Sequence, residues 1–240
     1  MRVWSQLHHP NVLPFLGSHQ SRSLTYLVSP WMENGHVLEF VQKHPEADSL
    51  ELLVQVANGL EYLHTFQPQV IHGDLRGPNI LISQFGNVCI ADFGLSELKT
   101  ESSDSYSTPW VFAGHPRWQS PEIMMAYTKE EARRTAASDV FAFGRVMLEL
   151  FTIKLPFFYL SQDHGVIRRV EVGEFPDRPC DDTTVARGLD DTMWNLMTDC
   201  WNVTPSQRPS ATDLISRLNG AIEGRSDRDE SSRSNKRRKE

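Results

Sequence analysis

Between Val70 and Gly94 the chain carries the polar residues that most narrow what it can fold into. The run Val70-Ile71-His72-Gly73-Asp74-Leu75-Arg76-Gly77-Pro78-Asn79-Ile80-Leu81 is followed, thirteen positions after Asn79, by Asp92-Phe93-Gly94. Ile80-Leu81-Ile82 and Val88-Cys89-Ile90, separated by Ser83 to Asn87 with Gly86 inside, read as a hairpin of two short strands. A hairpin brings its two ends together, so Asp74, Asn79 and Asp92 converge although eighteen positions separate the aspartates. Either aspartate alone is by default a turn or cap residue, because Asp hydrogen-bonds nearby backbone. Their joint placement with Asn79 points to a site, and convergent oxygen ligands suit a hard cation such as Mg²⁺.

The surrounding chain reads as mainly α with a little β. Leu52, Leu53, Val56, Leu60 and Leu63 place one apolar stripe on a helix from Leu50 to His64. Helical patterns recur at Ser138 to Phe151, Asp163 to Val172, Asp190 to Trp201 and Ser210 to Ile222, the last with Ser210 as N-cap. Near the start, Val12 to Gly17 and Leu24 to Val28 read as short buried strands. Trp194 and Trp201 lie one heptad apart and read as core rather than as a binding surface. From residue 223 onward Gly, Ser, Arg, Asp, Glu and Lys take over, so 223–240 is expected to be a disordered charged tail. Its Lys236-Arg237-Arg238-Lys239 cluster is a short basic run of the kind nuclear import reads, although solvated tails carry such clusters often.

Composition excludes several classes. A net charge of -7 gives no basic surface for nucleic acid or anionic lipid. Cys89, Cys180 and Cys200 are odd in number and lack CxxC spacing, so neither a disulfide framework nor a zinc site is indicated. The adjacent His8-His9 pair has no metal-ligand spacing. No apolar run approaches the length of about eighteen residues that a membrane helix needs, and no signal peptide opens the chain. A soluble intracellular protein, cytoplasmic or nuclear, is the expectation.

Phosphoryl transfer asks for metal ions across the phosphates and a carboxylate that orients the attacking hydroxyl. At this point the chain resembles the eukaryotic protein kinase family, tyrosine-kinase-like group, over roughly residues 1 to 222. His72 to Asn79 looks like its catalytic loop and Asp92-Phe93-Gly94 like its metal-binding motif. Ser120-Pro121-Glu122 looks like the close of its activation segment, Asp139 to Gly144 like the start of its central buried helix, and Arg208-Pro209 like its late arginine. Trp4 to Pro10 looks like the end of the helix that holds the family's glutamate.

The resemblance implies an α+β protein-kinase-like fold, mostly the helical C-lobe with remnants of the small-lobe sheet. It implies ATP and Mg²⁺ as cofactors and a protein substrate, with Ser/Thr favoured as acceptor. Asp74 becomes the catalytic base, with Asn79 and Arg76 in the catalytic set, and Asn79 and Asp92 become the Mg²⁺ ligands. Val28 to Gly35 resembles the adenine hinge, so Val28, Pro30, Trp31, Met32, Leu81 and Asp92 form the nucleotide set, with Ser29 gating the pocket behind it. His72, Phe93, Gly94 and Asp139 take structural roles, and Glu122 and Arg208 form a buried ion pair.

The sequence also departs from the family. The glycine-rich loop, strand lysine and helix glutamate are missing, and the glutamate's place falls just before Met1, so a truncated domain with negligible activity on its own is expected. Gly73 replaces the arginine that binds an activation-segment phosphate in many kinases, Arg76 replaces the usual loop lysine, and His115 replaces a threonine near the substrate groove. An alternative of another class stays open: a catalytically inactive pseudokinase, or a lobe that only binds partners.

Overall fold

The apolar run around Val140 to Phe151 builds the axle of the molecule. In the computed structural model, which describes residues 3–22, 24–98 and 114–237, it forms helix α4 (Ala136–Thr152), buried at every position from Ser138 to Phe151. A helix apolar on all sides has to be surrounded. Its start is fixed by a capping box: Ser138 N–H donates to Thr135 Oγ1 at 3.2 Å, and Thr135 N–H to Ser138 Oγ at 2.9 Å.

Around this axle lie α1 (Val37–Lys43), α2 (Ser49–Thr65), α6 (Asp182–Ala186) and α7 (Asp191–Cys200). Helix α8 (Ala211–Arg237) packs on α2, and Thr212 Oγ1 donates to Glu61 at 2.7 Å. Ser210 caps α8 reciprocally with Asp213, as the sequence pattern predicts. Trp201 is fully buried in the core, whereas Trp194 is half-buried and packs against that core, edge-on to Trp201 at 5.7 Å. Short helices α3 (Pro121–Met124) and α5 (Asp163–Glu171) pack together at one side. Trp110 and the hydroxyl residues from Lys99 to Thr108 lie outside the described residues.

Among the described residues three two-stranded antiparallel ladders accompany the helices. Strand β1 (Gly17–Ser21) pairs with β2 (Leu24–Val28), β3 (Val70–Ile71) with β6 (Glu97–Leu98), and β4 (Ile80–Ile82) with β5 (Val88–Ile90). Two sequence expectations change here. Val12 to Gly17 is not a strand: Val12 makes one bridge to Ile90, Leu13 N–H donates to Ile90 O at 2.8 Å, and Pro14 has no N–H with which to continue the ladder. Leu24 to Val28 is a strand but not a buried one, because among the described residues nothing covers its apolar side chains.

The helix that the apolar pattern ends at Ile222 continues through Arg237, across most of the segment expected to be disordered. Arg225 supplies a tether that composition does not reveal, donating to Gly188 O at 2.5 Å and meeting Asp190 at 3.4 Å. Many residues beyond it, Arg, Glu and Lys among them, are competent helix formers. Residues 238–240 lie outside the described set.

Two polar contacts lock this frame. Asp139, buried in the first turn of α4, accepts from His72 N–H at 2.9 Å, Gly73 N–H at 2.8 Å and His64 Nε2 at 2.9 Å. Arg208, whose side chain is fully buried, grips Glu122 with two bonds of 2.7 Å while also donating to Asn202 O and Ala137 O. Glu122 itself keeps 26% of its side-chain surface in solvent, so the expected buried pair is buried on the arginine side.

Burial pushes the Asp139 carboxyl up, but the His64 bond, the charges of His64 and His72 and the Gly73 N–H outweigh it and hold it below the ordinary 3.8. A depressed carboxyl stabilises the fold fully above its unfolded value and loses that contribution as pH falls through the folded one. Asp139→Asn is therefore expected to cost about 3 kcal/mol near neutrality and to flatten the acid limb of the stability curve below about pH 4, measured by urea unfolding across pH. The α4–α7 contact has its own test. A Cβ at Gly144 would lie 2.6 Å from Trp201 Nε1 and 2.7 Å from Cys200 Cβ, so Gly144→Ala should lower the urea midpoint by the equivalent of about 3 kcal/mol.

Candidate active site

Strand β3 delivers the chain to Asp139, which catches the His72 and Gly73 amides and turns the backbone. Gly73 takes φ 80°, a left-handed conformation that a side chain would strain. His72 has one proton arrangement: Nδ1 accepts from Asp74 N–H at 3.3 Å, so Nε2 carries the hydrogen and donates to Ala91 O at 2.9 Å. The imidazole thus spans from the Asp74 loop to the residue before Asp92. Beyond Asp74, Pro78 initiates a 3-10 turn over Gly77–Asn79, and Asn79 N–H closes it on Arg76 O at 2.9 Å.

Asp74 sits at the centre of a contact set, its side chain 11% exposed. Asn79 Nδ2 donates to Asp74 O at 2.8 Å and to Asp74 Oδ2 at 3.1 Å. Arg76 Nε lies 3.5 Å from the same Oδ2, and His115 Nδ1 lies 3.5 Å from Oδ1. Both amide hydrogens of Asn79 are directed at Asp74, which orients its own carbonyl oxygen away as an acceptor.

The hairpin ends do meet. Ala91 N–H donates to Asn79 O at 2.8 Å, placing Asp92 one residue from the Asn79 backbone. Asp92 has φ 63° and ψ 73°, a left-handed backbone held by its own Oδ1, which accepts from Gly94 N–H at 3.2 Å. Strain of this kind on a non-glycine residue costs on the order of 1–3 kcal/mol, and Arg22, Ile153 and Phe157 carry positive φ as well. Phe93 stacks on Trp4 at 6.0 Å and stands edge-on to His72 at 5.3 Å, fixing the turn from below. Asp92 itself is exposed, and its carboxylate accepts from the Gly94 N–H of its own turn.

A hard cation fits this donor set. Asn79 offers an amide oxygen and Asp92 a carboxylate, and Mg²⁺ is commonly held by one or two carboxylates plus the substrate's phosphates. Among the described residues no group of three or more His, Cys, Asp or Glu is placed to hold a metal ion.

On the other face of the hairpin, residues 29–35 with Leu81 border an open cleft of about 500 Å³. Pro30, Trp31, Met32 and Leu81 line it, whereas Val28 ends β2 outside the lining. The segment is fixed to β4 by Asn34 N–H to Ile82 O at 3.2 Å and Ile82 N–H to Gly35 O at 2.9 Å. Trp31 at the edge of the cleft is 83% exposed.

The sequence singles out Trp118 only as one of four tryptophans that could form a binding surface, and gives Glu149 no role. Glu149 Oε2 accepts from the Gly77 amide at 2.9 Å and from the Trp118 indole at 2.7 Å, tying the Asp74 loop to the segment before Ser120. The available signal was an acid inside the apolar run Leu148-Glu149-Leu150.

The family described as protein tyrosine and serine/threonine kinase matches residues 1–218. The chain is 27% identical over 92% of its length to the serine/threonine-protein kinase CTR1 of Arabidopsis thaliana, and 28% over 92% to serine/threonine-protein kinase STY17 of the same plant. It is 31% identical over 90% to the probable serine/threonine-protein kinase drkC of Dictyostelium discoideum. It spans 26%, 36% and 28% of those three proteins. With its loop, hairpin and buried helix in the same order as in that family, the chain belongs to the protein tyrosine and serine/threonine kinases and is a kinase domain of the tyrosine-kinase-like type.

Proposed function

We propose that this domain, within the protein that carries it, transfers the γ-phosphoryl group of ATP to a serine or threonine hydroxyl of a protein substrate. The observation that carries the proposal is the Asp74–Asn79 pair, held by two bonds beside the strained Asp92 turn. The serine/threonine preference rests on likeness to the serine/threonine-protein kinases CTR1 and STY17 and the probable serine/threonine-protein kinase drkC.

In this reading Asp74 accepts a hydrogen bond from the substrate hydroxyl, aligns it for attack on the γ-phosphorus and takes its proton. Arg76 and Asn79 hold the Asp74 carboxylate from the same side, through Oδ2. Asn79 Oδ1 and Asp92 hold Mg²⁺, which when bound neutralises charge on the phosphates. The cleft beside Met32 and Leu81 takes the adenine, with the exposed Trp31 face beside it. His72, Phe93 and Gly94 keep the Asp92 turn in place. No helix among the described residues is long and apolar enough to cross a membrane.

The test compares wild type with Asp92→Asn and Asp74→Asn in the whole protein carrying this domain. Each substitution is expected to lower Mg²⁺-dependent phosphotransfer to a protein acceptor by at least about 10²–10³-fold while leaving the urea midpoint nearly unchanged. A wild-type protein that binds partners but transfers no phosphate overturns the proposal in favour of an interaction module.

A further inference from the structure

Helix α4 carries a carboxylate that the chemistry above does not use. Glu149 is fully buried, and the two bonds from Gly77 and Trp118 both end on its Oε2. Its other oxygen, Oε1, is buried with no hydrogen-bond partner, and so is Arg76 Nε in the loop. The contact is close: a Cβ at position 77 would lie 3.2 Å from Oε2 and 2.8 Å from the Leu38 side chain, so a larger residue there would have to displace both.

Each of the two donors leads towards Asp74. Gly77 follows Arg76, whose Nε lies 3.5 Å from Asp74. Trp118 stands edge-on to His115 at 6.0 Å, and His115 lies 3.5 Å from the other Asp74 oxygen. One carboxylate therefore bridges the two segments that approach Asp74 from opposite oxygens.

We infer that Glu149 is a positioning residue whose negative charge sets how the Asp74 loop and the His115–Ser120 segment sit against each other. The inference rests on the reading of Asp74 and Asn79 as the reacting pair. It assigns a control point within that site, about one helix turn beyond Arg145 on α4.

Charge matters here because the two hydrogen bonds do not require it. An ionised Glu149 gives Arg76 a second anion besides Asp74. A protonated one leaves Arg76 to Asp74 alone and places a hydroxyl at an oxygen with no acceptor. The charged group facing Glu149 is Arg76 of the loop; Gly77 and Trp118 present neutral donors, and α1 presents the apolar Leu38 beside Gly77. Burial pushes the carboxyl up to about 7, against the Trp118 indole, the Gly77 N–H and the Arg76 charge. Both protonation states are then populated near neutrality. The sign for stability is opposite to that of Asp139. A raised carboxyl favours the fold below its unfolded value and withdraws that support as pH climbs through about 7.

Glu149→Gln separates charge from scaffold, since the glutamine oxygen can accept both bonds. On the full chain, the Trp118 indole and the Gly77 and Asn79 amide resonances are followed by NMR from about pH 5.5 to about 8.5, with Trp118→Phe assigning the indole. In the wild type the three are expected to move together with a midpoint near 7, and in Glu149→Gln to stay still. The melting temperature of the variant relative to wild type should rise over the same interval. Resonances that do not move in the wild type, or that move equally in the variant, overturn the inference. If that variant fails to fold, the same titration in His115→Ala decides, because the His115 ring stands edge-on to Trp118: the three resonances are expected still to move together, and their standing still overturns the inference. The readout needs no turnover, so absence of phosphotransfer would count against the proposed function without touching the coupling of Glu149 to the loop.

Discussion

The buried carboxylate of Asp139 is the constraint on which the arrangement depends. It sits in the first turn of α4, where the helix dipole favours a negative charge, and receives the amides of His72 and Gly73. A loop beginning with a left-handed glycine and containing another glycine three residues after Asp74 has little intrinsic preference for one shape. Two charge-assisted bonds to a rigid helix give it one. His72 then carries the order onward, to Asp74 through Nδ1 and to Ala91 through Nε2. The placement of Asp74, Asn79 and Asp92 descends from one acid in the core.

Much of this was legible because periodicity reports burial. The α2 stripe, the α7 and α8 starts and the β4–β5 hairpin follow from apolar spacing and turn chemistry with little tertiary help. Asp74 and Asn79 meet within one loop, five positions apart, while the β4–β5 register brings Ala91, the neighbour of Asp92, onto Asn79 O. What failed was inference about neighbours. Val12 and Leu13 have strand-like residues, but their hydrogen-bonding partner is the edge of β5, far along the chain. Leu24 to Val28 is apolar enough for a core and pairs as a strand, yet apolarity states only a preference for cover, not its presence. Similarly, the tether at Arg225 involves Gly188 and Asp190, which no local pattern connects to the last helix.

The polar residues inside α4 mark the limit more sharply. Arg145 and Glu149 are four apart, a spacing at which opposite charges on an exposed helix face pair with each other. In the structure they part. Glu149 turns to Gly77 and Trp118, while Arg145 enters a box of rings, its guanidinium carbon 4.5 Å from Trp201, 4.9 Å from Phe141 and 5.0 Å from Phe157. None of its three guanidinium nitrogens has a hydrogen-bond partner.

That choice has a physical cost and a physical reason. Burial pushes the Arg145 guanidinium down to about 9, with Tyr159 acting weakly in the other direction, so the charged form persists at neutrality without an ion pair. Aromatic faces stabilise a desolvated cation by about 2 kcal/mol or more each, and three surround it. An arginine so held does not need Glu149, and Glu149 is left with an unfilled oxygen and a carboxyl close to its own titration point. The aromatic box thus explains why the acid four residues on is available to the loop. A core that had paired the two charges would have buried both safely and left the Gly77 amide and the Trp118 indole without their shared acceptor.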